Sequence, residues 1–273
     1  MRGLFLGDVV GRAGREAVVA ALPGLRTRLR LDWVVINAEN AAGGSGLTPD
    51  IARALFDAGA DALTLGNHGF AQRVLWPYLE REPRIVRPAN YPPGAPGQGL
   101  TVLTLASGQQ LVVLSLMGRL FMEPLDCPFR TADAALAPYR LDDGARLGSG
   151  VAGILVDIHA EATSEKMALG HYLDGRVTAV IGTHTHIPTA DAHLLANGTA
   201  YQTDAGMCGD YDSVIGMRTN IALERLIQRV ISARQEPAAG PVTLAGAVIT
   251  HDPRTGLALS IEPFRQGGVL PPT

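Results

Sequence analysis

The sequence predicts a parallel or mixed α/β fold. Three observations lead there. Short apolar runs recur along the chain and close on Gly, Asp, Asn or His; segments with helical spacing lie between many of them; and the connections are rich in Gly and Pro, with no repeat and no break in composition. Together they predict one domain over residues 1–273.

Residues 4–6 read as a buried strand ending at Gly7 and Asp8. Residues 14–30 have helical spacing and a basic C-terminal half that suits the negative end of a helix dipole. Pro23 predicts a kink or break in that helix. Residues 33–36 form a second strand and lead into the polar, Gly-rich loop 37–46. Thr48 and Pro49 have the chemistry of an N-cap and a first helical residue, opening a helix to about Gly59. Residues 62–65 make a third strand that runs straight into Gly66, Asn67 and His68.

The Pro/Gly-rich stretch 83–100 is expected to be extended, followed by a hairpin of residues 100–105 and 111–117 around Ser107 and Gly108. Within residues 118–150 a short helix starts at Thr131 and is interrupted by Pro138, and a lid role for this region is left open. Residues 151–157 form a strand closing on Ile158 and His159, with a helix at 163–170 after it. A strand at 177–181 ends at Gly182, Thr183, His184, Thr185 and His186. A hairpin over 189–203 turning at Asn197 and Gly198, a helix at about 220–233, and strands at 242–250 and 257–263 complete the chain.

Composition narrows the function. Of the 273 residues 47% are hydrophobic, enough to bury a large core, and 18% are charged. A net charge of −3 and a pI near 6.2 provide no global basic field, so no duplex nucleic-acid partner is expected and a phosphate-bearing ligand needs a local site. Cys127 and Cys208 lie in no CxxC pair. The N-terminal segment turns to Gly and Asp after a few apolar residues, unlike a signal peptide, and no apolar run approaches the ~20 residues that span a bilayer. A soluble, cytoplasmic protein without a membrane partner is the expectation.

The informative pattern is where metal-capable side chains fall. Asp8, Glu39, Asn40, Asn67, His68, His159, His184 and His186 each follow closely on an apolar strand. In open α/β sheets the carboxyl ends of strands converge on one rim, where ligands bind. Carboxylates and imidazoles delivered together to such a rim suit Mn, Fe or Zn. His184 and His186 are two residues apart, and just past a strand end such a pair can reach two metals ~3.5–4 Å apart.

Blander readings exist for each residue. Asp8 could cap the following helix, Asn40 could close an Asx turn, and the two histidines of residues 184–186 could be solvated turn residues. Glu39 resists this, because a carboxylate at a converging rim needs a cationic partner. A dinucleotide-binding reading of residues 7–14 fails, since GxGxxG needs Gly where Val9 stands. His171 suits a helix C-terminus, His193 a strand and His251 the start of a polar turn; all three are left out of the site. Cys127 and Cys208 read as small packing residues, the latter in a Gly-rich segment that could approach the site.

The segments GDVVGRAGR, INAENAAGGSGLT, TLGNHGF, DIHAEATSEK, GTHTHIPTAD and TDAGMCGDYDSVIG, spread over residues 7–216, together resemble the YmdB-like branch of the calcineurin-like metallophosphoesterases. The resemblance implies a four-layer α/β/β/α sandwich with mixed sheets and a dinuclear centre at the strand ends. It implies phosphodiesterase activity on a small phosphodiester or nucleotide, with 2′,3′-cyclic nucleotides as the associated substrates. By motif, Asp8, Glu39, Asn40 and His186 would bind one metal. Glu39, Asn67, His159 and His184 would bind the other, with Glu39 bridging and His68 unligated. One departure stands out: the wider superfamily opens on DxH, whereas Val10 occupies the third position here and Asn40 is the substitute ligand.

The expected cofactors are two divalent or trivalent metal ions per chain, Fe or Mn ahead of Zn. The mechanism expected is in-line attack on phosphorus by a water shared between the cations, with His68 protonating or stabilising the leaving sugar oxygen. Arg12 and Arg119 are candidates for gripping phosphate, although each also reads as an ordinary surface or turn arginine. The second hypothesis is a metal-bound regulatory or nucleotide-sensing protein with weak turnover. Homo-oligomerisation is left open.

Overall fold

The computed structural model describes residues 1–141, 150–229 and 234–273. In chain order the strands are β1 (Arg2–Leu6), β2 (Asp8–Val9), β3 (Trp33–Asn37), β4 (Ala62–Thr64), β5 (Ile85–Val86), β6 (Leu100–Thr104), β7 (Gln110–Met117), β8 (Gly153–His159), β9 (Ala179–Thr183), β10 (His193–Leu194), β11 (Ala200–Gln202), β12 (Met207–Asp210), β13 (Val242–His251) and β14 (Ala258–Gly267). The helices are α1 (Gly11–Leu29), α2 (Pro49–Asp57), α3 (Trp76–Leu79), α4 (Pro128–Leu136), α5 (Thr163–Tyr172) and α6 (Thr219–Gln228).

Among the described residues the strands form two mixed sheets. One has the order β2-β12-β13-β1-β3-β4-β5, with β14 also on β13; the other has the order β10-β11-β9-β8-β7-β6. Parallel pairing runs through β1-β3-β4-β5 in the first sheet and β7-β8-β9-β11 in the second. Antiparallel hairpins, β6-β7 and β10-β11, finish both edges of the second sheet, whereas antiparallel β13 joins β1 to β12 in the first.

Strand alternation builds the layers. Leu4, Leu6, Val34, Ile36 and Leu63 face outward onto Val18, Leu22 and Leu25 of α1 and Leu55 of α2. Phe5, Trp33, Val35 and Ala62 face inward and meet Val113, Leu155, Ala179 and Ile181 of the second sheet. That sheet turns Val112, Leu114, Ile154 and Val156 outward onto Ala132 and Leu136 of α4 and Leu169 of α5. The result is the four-layer α/β/β/α sandwich.

The inward rows decide where chemistry can occur. Trp33 and Val35 continue to Asn37, Ala62 to Thr64, Leu155 to Asp157 and His159, and Ala179 and Ile181 to Thr183. At one end of the inter-sheet core four strands thus exchange apolar for polar side chains, all buried. At the opposite end, the inward row of β13 finishes at His251.

Several elements differ from the sequence expectation. The first helix runs unbroken through Pro23, held on the sheet by buried Leu22 and Leu25 on either side of the proline. His251 does not begin a polar turn: it is the last residue of β13, wholly buried, with its Nε2 accepting from Trp33 Nε1 at 3.2 Å. The fourth helix begins at Pro128, before Thr131, and ends ahead of Pro138. Strands β2 and β12 and helix α3 had no counterpart in the sequence reading. The expected helix 220–233 is α6 up to Gln228; residues 230–233, and residues 142–149 of the region asked about as a lid, lie outside the described residues. No described helix is long and apolar enough to cross a membrane.

Candidate metal centre and cleft

All eight residues singled out from the sequence meet at one end of the inter-sheet core. His159 closes β8, and its Nε2 lies 3.0 Å from Glu39 Oε1, 2.9 Å from Asn67 Oδ1 and 3.1 Å from His184 Nδ1. Asn40 Nδ2 lies 3.1 Å from Glu39 Oε1 and 3.2 Å from His186 Nε2, which is 3.8 Å from Asp8 Oδ1. The contacts therefore fall into two groups that share Glu39. His68 donates its backbone N–H to Glu39 Oε2 at 3.1 Å and lines the cleft above.

Local backbone makes this convergence feasible. A Cβ on Gly66 would stand 2.3 Å from His159 Nε2 and 2.4 Å from Glu39 Oε2, so only glycine leaves these two side chains room to meet. His184 and His186 adopt φ of 94° and 66°, a region costly for residues with a Cβ. Asp204 holds the loop between them: its Oδ2 accepts from Thr185 N at 3.1 Å and from Thr185 Oγ1 at 2.6 Å. The same oxygen meets Lys166 Nζ at 2.8 Å, both side chains being fully buried.

Beneath the rim lies a satisfied floor. Asp157 accepts from Thr64 Oγ1 at 2.5 Å, Asn37 Nδ2 at 3.0 Å and Thr183 Oγ1 at 2.7 Å. Since the Thr183 hydroxyl donates downward, its oxygen accepts from His159 Nδ1 at 2.9 Å, which turns Nε2 toward the rim. His186 Nδ1 likewise donates to the Ile215 carbonyl at 2.8 Å, leaving Nε2 to face Asp8 and Asn40. Hydrogen bonds on the far nitrogen are how metal-binding imidazoles are oriented.

Electrostatics mark the rim as short of positive charge. Burial pushes the Asp8 carboxyl up to about 6, although His186 and His159 oppose it. Burial also acts to raise Glu39, but His159 outweighs it and holds that carboxyl down to about 2. His159 itself is lowered by burial and raised more strongly by Glu39, to about 9. His184 is driven down to about 3 by burial and by the neighbouring His159 cation.

The residues present fit a metal. Glu39, His159 and His184 offer donor atoms within 4.8 Å of one another. Asp8 Oδ1 is buried with no hydrogen-bond partner, a cost a cation removes. The Asn40 amide presents its nitrogen to this space, and a half-turn about Cβ–Cγ puts the oxygen there.

The donors open into a cleft of about 760 Å³ that is also lined by Ile215, Met217, Arg225 and Arg234. Arg12 and Arg119 are not part of it. Arg12 is exposed and pairs with Glu16 at 2.6 Å, and the backbone N–H of exposed Arg119 donates to Glu165. His171 and His193 are exposed, and Cys208 is buried in β12, its thiol pushed up to about 12 by burial. Segment 205–209 does reach the site, because β12 pairs with the strand that Asp8 opens. Sequence reasoning missed Asp157, Thr183, Lys166, Asp204, Arg225 and Arg234. A carboxylate at residue 157, in an otherwise apolar strand and on the same face as His159, was the available signal.

Comparison with known proteins finds relatives along nearly the whole chain. A family described as YmdB-like protein matches residues 4–264. The 2′,3′-cyclic-nucleotide 2′-phosphodiesterase of Bacillus subtilis (strain 168) is 45% identical over 268 residues, 96% of this chain and 96% of that protein. Among solved structures, a hypothetical protein from Thermus thermophilus has 42% identity and a TM-score of 0.88, covering 98% of this chain and 100% of that one. A structure described as a novel phosphatase from Mycoplasma pneumoniae has 31% identity and a TM-score of 0.87, covering 98% and 93%.

Proposed function

Because the chain belongs to the YmdB-like protein family, we propose that it is a metal-dependent phosphodiesterase that opens 2′,3′-cyclic nucleotides at the 2′ ester. The observation that carries this reading is the meeting of Asp8, Glu39, Asn40, Asn67, His159, His184 and His186 around a carboxylate oxygen with no partner, at the foot of a cleft. Asp8, Glu39, Asn40 and His186 would hold one ion, and Glu39, Asn67, His159 and His184 the other. Bound cations would neutralise the phosphate oxygens and acidify the attacking water. With imidazole, amide and carboxylate donors mixed, Fe and Mn are the favoured ions, ahead of Zn.

The protein's own groups have distinct tasks. Thr183 and the Ile215 carbonyl keep His159 and His186 turned with Nε2 toward the rim. Asp204 and Lys166 hold the strained loop that presents His184 and His186. In the reaction, a water oxygen bonds to phosphorus and the bond to the 2′ oxygen breaks. His68 delivers a proton to that oxygen, leaving a 2′-hydroxyl and a 3′-phosphate. Residues 1–273 act as one domain in this reading, since both sheets contribute to the rim.

Replacing His68 tests the assignment. His68→Ala is expected to lower the hydrolysis rate of 2′,3′-cyclic AMP by ~10²–10⁴ while elemental analysis finds metal content unchanged. Protein reconstituted with Mn or Fe that holds less than one ion per chain would exclude the dinuclear centre. Full metal content with no turnover of any cyclic or linear phosphodiester would favour the sensing role.

A further inference from the structure

The cleft brings both signs of charge together. Glu39, Glu161, His184 and His186 line it, and so do Arg225, in the last turn of α6, and Arg234. Four arginines elsewhere on the surface pair with carboxylates, Arg12 with Glu16, Arg176 with Asp133, Arg218 with Glu236 and Arg254 with Asp252. Among the described residues neither Arg225 nor Arg234 has such an ion pair. Both guanidiniums line the same cleft as the metal-capable donors. Planar, always charged and rich in donors, they are suited to phosphate.

In the proposed phosphodiesterase reading, on which this inference rests, the cyclic phosphate is held by the donors around Glu39, which leaves the two guanidiniums for another anionic group. A nucleoside 2′,3′-cyclic phosphate has no other anionic group, and the free oxygen on its ribose is the 5′ one. We infer that the substrate carries a second phosphate on that 5′ oxygen, bound by Arg225 and Arg234. This chemistry is shared by the 3′ end of an RNA fragment and by a 5′-phosphorylated mononucleotide. Strand cleavage in which a 2′-hydroxyl attacks the adjacent phosphodiester is the class of reaction that supplies such ends. The inference concerns a local anion site for a single strand and is compatible with the missing global basic field that argues against duplex binding.

The experiment compares kcat/KM for 2′,3′-cyclic AMP, for its 5′-phosphorylated form, and for a diadenosine dinucleotide ending in a 2′,3′-cyclic phosphate. Wild-type enzyme is expected to prefer at least one phosphate-bearing substrate over 2′,3′-cyclic AMP by about tenfold, the size of one charged hydrogen-bonding contact. Arg225→Gln and Arg234→Gln should each bring that preference down toward unity. Preference for the dinucleotide identifies an RNA end, and preference for the 5′-monoester alone identifies a mononucleotide; either supports the inference. It is overturned by a wild-type ratio near one, or by variants that slow all three substrates equally, as arginines stacking on the base would do. Failure to open any of the three cyclic phosphates would sink the phosphodiesterase reading itself, a separate outcome.

Discussion

The two ends of the inter-sheet core handle buried polarity in different ways. At the closed end, His251 and Trp33 share one hydrogen bond, and the amino group of Met1 donates to the His251 carbonyl at 2.7 Å. At the other end polarity is stacked in two tiers. Asp157 below has three donors, whereas Asp8 above receives the His184 backbone N–H at 3.1 Å on one oxygen and nothing on the other. Burial alone therefore does not mark a functional carboxylate. Asp8 and Asp157 are equally inaccessible, and what separates them is whether the protein has supplied enough donors.

The widest predicted difference is between those two aspartates. Asp8→Asn removes the charge on an oxygen that no hydrogen bond satisfies, so metal content and phosphodiesterase rate are expected to fall together. The rate should drop by more than the ~10²–10³ typical of losing one electrostatic donor. Asp157→Asn can still accept from Thr183 through its amide oxygen; it should retain metal and lose about 1–3 kcal/mol of stability. Elemental analysis and denaturant unfolding of both variants decide the matter, and the reverse pattern would erase the distinction between tiers.

A smaller effect comes from the closed end. Burial, helped by the N-terminal ammonium, pushes His251 down to about 4. Because this is below the ordinary value near 6.5, the unfolded chain takes up the proton first. The stability contributed by the neutral ring is complete above pH 6.5 and drains away as pH falls toward 4. Two and a half pKa units set a ceiling of roughly 3 kcal/mol. Metal-free wild type and His251→Gln should diverge over that window in thermal unfolding; parallel curves would show that His251 already titrates normally in the fold.

The smallest effect predicted is on metal affinity. Thr183→Val leaves a side chain of similar shape but breaks the link from Asp157 to His159. Loss of such an orienting partner typically weakens metal binding by ~10–100-fold, which competition with a chelator would measure. Unchanged affinity would mean that the floor supports the strands and not the imidazole.

Much of this was legible in the sequence because strand ends were. Asp8, Glu39, Asn67, His159 and His184 stand just beyond or at the end of apolar runs, and period-two alternation alone brings such positions to a common rim. The floor was harder to see. Asn37, Thr64 and Thr183 look like the ordinary polar residues that finish strands, and their partner Asp157 is identified only when two sheets face each other. Strand β12 escaped because Met207, Cys208, Gly209 and Asp210 lack the β-branched signature and owe their conformation to pairing with β2 and β13. The run through Pro23 reflects tertiary packing of α1 outweighing one lost hydrogen bond. Arg225 and Arg234 were indistinguishable from surface arginines until the fold set them along the cleft.

The placement of β13 has a consequence for synthesis. Residues 242–251 pair along one edge with β12 and then β1, and along the other with β14; β12 in turn holds the strand that begins at Asp8. A growing chain therefore carries its first carboxylate for more than two hundred residues before the strand that fixes it emerges from the ribosome. Pairings this distant in sequence form slowly, so ion capture would come as a late event in biogenesis, and fragments ending before residue 242 would leave Asp8 without its anchoring strand.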